Sequence, residues 1–529
     1  MNFSLKTPRI ILVFLSLLCG VHGADSQTAA NPDSSLQTIL RGLQGTRVTL
    51  HQAQESAAMN ATSVRISEAS YLAAEGSLRR EQGAYDPVIF FNLNHLDNRQ
   101  PTSSIFTGAP VLATEQTASA GGVRLNLPIG TKIEADLNTN RLNTNSQFAA
   151  LNPEYDATGS LTITQPLLGG FAASARKQLT SAETERDAQK SRFDQQVLAA
   201  RGDVERLYWD LYAAERDYAV QKLTRDRAEA FLNETLLRAQ TGLVGSVQVA
   251  SARTSLAQQE LLLIERDEQL GVQSDQLAMY IGARPDPPSS RFIPADTPST
   301  SYPLEPVDVL VDRALKNNLD LQAAQKDVDA AGTLADAAAW EALPSVDLIG
   351  TLGGNALQGN GQIVTIPGFP SYTLPGGTFG DALSQVFKRD YPSWSLGVAV
   401  NIPVGFRSGL GERDRLDAGV LGARQHTVEL SRAIEQQVRA AYGEVSHGTA
   451  RLKAAREGVE ASEEQVRVGL IEFRSGRVTA FELVRLGEDL ADAERQYSDA
   501  LVRTAKAAST LRQLTSADSA MPGTYGKER

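Results

Sequence analysis

Cysteine is almost missing from this chain of 529 residues, whose single cysteine is Cys19 in an N-terminal apolar run. Lys6 and Arg9 precede that run, and Val21 and Gly23 follow it at the positions before a cleavage site. This arrangement is typical of a secretory signal peptide. We expect residues 1–23 to be removed near Gly23, which leaves an exported chain without disulfides. Its stability must then come from packing or assembly.

Histidine, methionine and basic clusters are also scarce. The five histidines are isolated along the chain and there are only four methionines, so no metal site or catalytic triad is visible. The net charge is −11, and no basic patch with interleaved aromatic residues occurs. We therefore expect no enzymatic activity, no cofactor or metal, and no nucleic-acid partner.

Long apolar runs are absent after the predicted signal peptide. The longest uncharged stretch, residues 348–380, is rich in glycine and contains proline, so it is unsuited to a membrane helix. If the mature chain crosses a membrane, we expect it to do so as β-strands.

What the sequence does contain is a long helical pattern over residues 176–240. Its apolar positions alternate steps of four and three residues, a heptad spacing that keeps one seam against a partner helix. The seam runs through Phe193, Val197, Ala200, Val204, Leu207, Leu211, Ala214 and Tyr218. At 1.5 Å per residue such a helix would be roughly 100 Å long, so it needs partners along its whole length.

The same plan occurs twice, which indicates an internal duplication. Each copy reads as a helix, strands, a long helix, a glycine turn and a further helix. The second copy repeats the seam as Ile434, Val438, Ala441, Val445, Gly448, Leu452, Ala455 and Val459. Pro87 and Gly242 of the first copy correspond to Pro344 and Gly476 of the second. The predicted helices of the first copy cover residues 47–85, 176–240 and 246–281.

Alternating apolar residues predict strands between the helices, over about 88–167 and 345–403. Trp394, Leu396, Val398 and Val400 share one face of the strand that precedes Pro403. Strands attached to a helical rod cannot hide their edges alone, and their length suits a tilted membrane strand. We expect several chains to pool their strands into one closed barrel in lipid. A soluble β-domain with one buried face is the alternative.

These patterns divide the chain into six segments. They are a signal peptide at 1–23, a loosely ordered polar lead at 24–46, a first repeat at 47–284, a linker at 285–306, a second repeat at 307–515, and a tail at 516–529.

From about residue 47 to 515, the chain resembles the TolC-type outer-membrane efflux proteins. The resemblance is carried by the paired helix starts at 50–64 and 307–321 and by the strand-to-helix motifs at 165–170 and 402–405. Two helix-turn-helix tips, at 238–243 and 472–477, add to it. No single motif is decisive, but their order and duplication are specific.

The resemblance implies a mainly α fold with membrane β-strands. It implies a homotrimer in which a twelve-stranded outer-membrane barrel continues into a long α-helical barrel across the periplasm. Four strands per chain follow. The sequence also offers an extra hairpin at 123–137, either as an extension above or below the barrel or as part of a longer first strand pair. The implied partners are a periplasmic adaptor protein, an inner-membrane pump or secretion ATPase, and outer-membrane lipid. The implied function is a passive exit duct.

The resemblance also implies two sets of site residues. The periplasmic tip that receives the adaptor corresponds to Thr241, Gly242, Leu243, Ser475, Gly476 and Arg477. The tunnel constriction corresponds to Glu482 and Arg485, where the family pattern has two acidic residues. Because the second position is basic here, a mixed ring is expected. The alternatives are ordinary helix caps at both glycines and a solvated helix face at Glu482 and Arg485.

A secreted coiled-coil structural or adhesin-like protein is the competing hypothesis for function. The sequence identifies neither the cargo nor the particular pump.

Overall fold

The computed structural model describes residues 32–103, 107–285, 287, 291–365, 370–475 and 477–516. The predicted signal peptide and residues 517–529 of the predicted tail lie outside this part of the chain. The described residues form two compact units. The first unit contains the described part of Met1–Gln44 together with Glu215–Glu268 and Gly458–Arg495. The second contains Gly45–Ala214, Gln269–Glu457 and the described part of Gln496–Arg529.

The helices of the two halves have equal lengths. Helix α4, Ala173–Gln240, and its counterpart α9, Arg407–Arg474, each contain 68 residues. Helices α5, Ser246–Ile281, and α10, Ala480–Thr515, each contain 36 residues. The predicted ends at Gln240, Ser246 and Ile281 are confirmed.

The shorter helix that precedes the strands in each half is broken once. Residues 47–85, predicted as one helix, form strand β1, Thr46–Val48, then α2, Leu50–Asn60, and α3, Thr62–Gly83. The second half contains α6, Val307–Asn317, and α7, Leu319–Glu341. Ala61 and Asn318 adopt ψ of 130° and 120°, outside the helical range, and this conformation separates the helices of each pair.

Most positions of both predicted seams are buried, and the half-buried ones are Phe193, Leu207, Tyr218, Ala455 and Val459. Val197, Val204 and Leu211 in α4 are fully buried, and Val438 and Val445 occupy the same role in α9. Side chains at this spacing lie on one helix face and pack together. In the second half, the core joins α6, α9 and α10 through the residues Leu310, Val311, Ala314, Ile434, Val438, Ala441, Leu511 and Leu514.

Six strands form one antiparallel sheet in the order β2-β3-β4-β5-β7-β8. They are β2, Val88–Pro101; β3, Val111–Asn126; β4, Lys132–Thr144; β5, Leu151–Pro166; β7, Ser345–Gly361; and β8, Tyr391–Asn401. The four strands per chain that the resemblance implies are therefore wrong for the described residues. The strand residues of the predicted hairpin at 123–137 belong to β3 and β4, which pair with each other and, along most of their length, with β2 and β5.

A short helix, α8, Phe379–Lys388, lies between β7 and β8 and was not predicted. Thr378 and Asp381 form a capping box that starts it, and Arg389 ends it with a φ of 56°. Ala382 and Val386 pack against Ala157 and Ala356 of the sheet.

The predicted linker contains a strand. Strand β6, Phe292–Pro294, pairs in parallel with β1. The buried Tyr208 hydroxyl donates a hydrogen bond to the carbonyl oxygen of Val48, 3.0 Å away, and accepts one from the backbone N–H of Ala295 at 2.9 Å. These bonds tie the linker to α4 within the second unit.

The polar lead is not loosely ordered over its whole length, because it contains helix α1, Pro32–Gly42. Leu36 is buried against Ala219, Val220 and Ala491 of the first unit, and Ile39 and Leu40 pack beside it. Three apolar residues at this spacing form one helix face, and burial of that face stabilises the helix.

Candidate functional site

The turn between α4 and α5 has the geometry of a glycine helix cap. Gly242 adopts a φ of 76°, a conformation that favours glycine. The backbone N–H of Leu243 donates to the carbonyl oxygen of Arg238 at 3.0 Å, and the Thr241 hydroxyl donates to the same oxygen at 2.9 Å. These bonds satisfy a carbonyl that the end of the helix leaves without a partner.

The turn between α9 and α10 repeats these bonds at the corresponding positions. The backbone N–H of Arg477 donates to the carbonyl oxygen of Glu472 at 3.0 Å, and the Ser475 hydroxyl donates to the same oxygen at 2.9 Å. Gly476 lies outside the described residues. The duplication inferred from the sequence therefore extends to the hydrogen bonds of the turns.

The two turns belong to the same unit and their helices meet. The guanidinium carbon of Arg238 lies 4.4 Å from the ring centroid of Phe473, a cation–π contact between the ends of α4 and α9. Large apolar side chains near the turns are exposed, namely Leu237, Leu243, Val247, Ile471 and Phe481. The first unit therefore displays an apolar surface beside its two turns, which we call the turn surface. Exposed apolar surfaces of this kind are suited to binding another protein.

Glu482 and Arg485 lie in the first turns of α10. Both residues are exposed, and the backbone N–H of Glu482 is capped by the Thr479 hydroxyl at 3.3 Å. Within the part of the chain that the structure describes, the two side chains form no ion pair with each other. Their charges are free to face solvent or another chain.

A buried polar network joins three helices of the first unit, and the sequence analysis did not identify it. The Gln221 side-chain amide of α4 donates to the Gln259 side-chain oxygen of α5 at 2.8 Å. The Gln259 amide in turn donates to a carboxylate oxygen of Glu488 in α10 at 3.0 Å. Burial raises the pKa of Glu488, and the neighbouring Asp492 and Asp489 raise it further.

Beside this network is a cavity of about 240 Å³. Its lining includes Thr224, Arg227, Phe231, Gln259, Leu483 and Glu488. Burial lowers the pKa of the Arg227 guanidinium, whereas Glu494 and Glu463 act in the opposite direction. One signal in the sequence could have found the network, because Gln221 follows Tyr218 by three residues and so continues the seam with a polar side chain.

The sheet has one apolar and one polar face. Cross-strand neighbours on the apolar face form a row through all six strands: Ile89, Val123, Ala135, Leu161, Leu352 and Trp394. The adjacent row on the opposite face is Phe90, Gly122, Asp136, Ser160, Gly353 and Ser393. Ile89 and Trp394 are 81% and 75% exposed, so the chain alone leaves this row of the apolar face uncovered at both ends.

Each outer strand of the sheet leaves one edge without a partner in this chain. Strand β2 pairs only with β3, and β8 pairs only with β7, among the strands of the described residues. Unpaired edges of this length bind further strands.

None of the helices in the described residues is long and apolar enough to cross a membrane. The described residues also contain no group of three side chains placed to hold a metal ion.

Comparison with known proteins agrees with this geometry. The sequence profile of the family described as "outer membrane efflux protein" matches residues 111–283 and 310–517. No curated protein sequence is similar enough to match the chain.

Several solved structures share the fold. The outer-membrane channel OprN aligns at a TM-score of 0.63 with 16% identity, over 88% of this chain and 89% of its own. The CmeC outer-membrane channel of Campylobacter jejuni aligns at 0.62 with 12% identity, over 88% and 85%. The outer-membrane protein VceC of Vibrio cholerae aligns at 0.61 with 14% identity, over 88% and 96%.

Proposed function

Because this chain belongs to the outer membrane efflux protein family, we propose that it forms the outer-membrane exit duct of a tripartite efflux pump or a type I secretion system. In this role it conducts substrates passively, without catalysis. An inner-membrane pump or secretion ATPase supplies the energy, and a periplasmic adaptor joins that transporter to the duct. The family match does not support a secreted coiled-coil or adhesin-like protein.

The observation that carries the proposal is the sheet, whose apolar face is exposed and whose two edges are unpaired. In lipid every backbone N–H and C=O must find a partner within protein, which excludes open sheet edges. Three copies that join β2 of one chain to β8 of the next would close the sheet into a barrel. The apolar face would then contact lipid and the polar face would line the channel.

Six strands per chain make such a barrel wider than the twelve-stranded barrel that the resemblance implies. The diameter of a barrel grows with the number of its strands. The helices would continue as an α-helical barrel into the periplasm, and the signal peptide at 1–23 would direct export. We also propose that the chain consists of two repeats, at 47–284 and 307–515.

We propose the two turns as the adaptor-docking tip, through Thr241, Gly242 and Leu243 and through Ser475, Gly476 and Arg477. Support comes from the turn surface and from the contact between Arg238 and Phe473, which brings the two turns together. A hairpin from an adaptor would cover the exposed apolar side chains there.

We propose Glu482 and Arg485 as the narrowest part of the tunnel. Both side chains are exposed in the single chain and carry opposite charges. Three copies of each would form a mixed ring, which holds cations more weakly than a purely acidic ring would. Arg485→Ala should increase the preference for cations and Glu482→Ala should shift it towards anions.

The test is conductance in planar lipid bilayers with the full-length purified protein. A duct predicts stable single channels, and the reversal potentials of Arg485→Ala and Glu482→Ala should move in opposite directions under a salt gradient. Both shifts in reversal potential should be smaller at 1 M salt, where the Debye screening length is about 3 Å. A protein that inserts into bilayers without conducting ions would contradict the duct. Unchanged reversal potentials in both variants would contradict only the proposed constriction.

A further inference from the structure

Helix α8 lies on the sheet face that carries the exposed apolar side chains. Ala382 and Val386 of α8 pack on Ala157 and Ala356, which are cross-strand neighbours. On β5, Ala157 is separated from Leu161 by two steps of two residues, and alternate residues of a strand share a face. Leu161 belongs to the apolar row that ends at Trp394. The helix therefore covers part of the face that the proposed function assigns to lipid.

Two glycine residues of the sheet allow α8 to pack closely against it. A Cβ atom at Gly159 would lie 2.6 Å from a Val386 methyl carbon, and one at Gly354 would lie 2.7 Å from the Val386 carbonyl oxygen. Real Cβ atoms essentially never approach other atoms this closely. Side chains larger than hydrogen at these two positions would lift α8 off the sheet, so its position is built into the strands beneath it.

The sheet changes from apolar to polar at the level of α8. On β4, Ile133, Ala135 and Leu137 are followed on the same face by Thr139 and Arg141. The cross-strand row through Arg141 contains His95, Thr117, Tyr155 and Gln358. Tyr155 contacts Phe379 at the start of α8, with the ring centroids 5.9 Å apart. The helix therefore lies where the apolar band ends.

The side of α8 that faces away from the sheet is amphipathic. Phe387 is 76% exposed, and Lys388 and Arg389 follow it directly and are also exposed. Asp381 at the other end is engaged in the cap, where its carboxylate accepts from the Thr378 N–H at 2.8 Å. Asp390 is exposed as well, so the C-terminal end of α8 presents two bases and one acid.

We propose that α8 is an interfacial helix that binds the lipid headgroup layer, with Phe387 among the acyl chains and Lys388 and Arg389 on headgroup phosphates. This inference rests on the proposed function, because it requires the sheet to span the membrane. Amphipathic helices with aromatic and basic residues lie at this depth. Aromatic rings favour the boundary, and the long stems of lysine and arginine carry their charges into the headgroup layer. The occupant is a lipid surface because the covered face is continuous with the apolar face of the sheet.

Spin labelling of the full-length protein tests the depth of α8. Because the mature chain is expected to contain no cysteine, single nitroxide labels are placed at Phe387→Cys, Leu396→Cys and Ser301→Cys without further changes. The protein is reconstituted into phosphatidylcholine vesicles with and without phosphatidylglycerol. Leu396 lies on the apolar face of β8 and reports the sheet, whereas Ser301 is an exposed linker residue. The measurement is the accessibility of each label to oxygen relative to a water-soluble nickel chelate.

The label at 387 should match the label at 396, with an oxygen-to-nickel ratio well above that at 301, because a side chain buried in the acyl boundary is shielded from a water-soluble chelate. If 396 is in lipid and 387 behaves as 301 does, the inference about α8 is wrong and the proposed function stands. If 396 also behaves as 301 does, the sheet is not in the membrane, and both the proposed function and the inference fall.

The headgroup contact is tested by Lys388→Glu and Arg389→Asn, with Lys453→Glu as the matched exposed control. Asparagine tolerates the positive φ at position 389. In vesicles that contain phosphatidylglycerol, each change should lower the oxygen-to-nickel ratio at 387, because it removes a base that contributes about fivefold to binding at an anionic surface. A ratio at 387 that responds neither to these changes nor to phosphatidylglycerol would overturn phosphate binding.

Discussion

The two halves of the chain match in their helices and differ in their strands. Helices α4 and α9 contain 68 residues each, and α5 and α10 contain 36 each. The first half contributes four strands to the six-stranded sheet, whereas the second contributes two strands and α8. A helix that packs along its partner cannot change length without moving every later contact. A sheet can accept another hairpin because each strand bonds only to its neighbours.

The first way to test this comparison is at the seams, where both halves should be sensitive. Leu211→Ala in α4 should lower the free energy of unfolding by about 2–5 kcal/mol, because it leaves a cavity in a fully buried position. Val445→Ala in α9 should act in the same direction by less, since it removes fewer carbon atoms. Chemical denaturation of the detergent-solubilised protein measures both. Leu237→Ala is the control because Leu237 is exposed, and an equal effect there would argue against a buried seam.

The second test compares the two faces of the sheet through neighbouring residues of β8. Leu396→Arg places a charge on the exposed apolar face and should destabilise the membrane-inserted protein by about 2–4 kcal/mol. Ser395→Arg lies on the polar face, opposite Thr351, and should have little effect. Unfolding from lipid vesicles is the measurement. Equal losses in the two variants would mean that the faces do not have different surroundings.

The third test concerns the turn of the first half. Gly242→Val forces a β-branched residue to a φ of 76° and should cost about 1–3 kcal/mol in stability. A Cβ atom there would meet nothing within 4 Å, so the cost is backbone strain and not a clash. Gly443→Ala, within α9, is the control and should stabilise by about 0.5–1 kcal/mol. A neutral Gly242→Val would contradict the positive φ, and retained adaptor cross-linking together with retained efflux would contradict the proposed tip.

The smallest expected effect is a pH dependence from Glu488. Its pKa is raised in the folded protein by burial, so its favourable contribution is present below the unfolded pKa and is lost as the pH rises through the folded pKa. Glu488→Gln keeps an oxygen that can accept the bond from Gln259 but cannot ionise. We expect the variant to be more stable than the wild type above the folded pKa and to show a flatter pH profile.

The comparison of the halves also explains how much could be predicted. Helix ends, seams and duplication were readable because heptad spacing and a following glycine are local signals. The strands were predicted only as a region, over about 88–167, and the pairing of residues 95–101 of β2 with 111–117 of β3 could not be predicted. The side chains of His95, Asp97 and Arg99 make one face of β2 polar there. Where no face of a strand is apolar, the sequence lacks the alternation of apolar and polar residues that identifies a strand.

Tertiary packing decided the other differences. Helix α8 lies in a segment rich in glycine and proline. Its packing against the sheet depends on the absence of a side chain at Gly159 and Gly354. The burial of Glu488 depends on which helices surround α10. At the proposed tip and constriction, the structure provides the geometry of the turns and the exposure of Glu482 and Arg485. Their roles stay predictions.

The central claim is that several copies of this chain close one sheet, and the mass of the detergent-solubilised protein tests it most directly. Native mass spectrometry on the full-length protein, gently released from detergent micelles, should find a trimer of the mature chain, because β2 and β8 of each copy need partners. A stable monomer, with no trimer at any detergent concentration that preserves the fold, would contradict the closed sheet and with it the proposed duct.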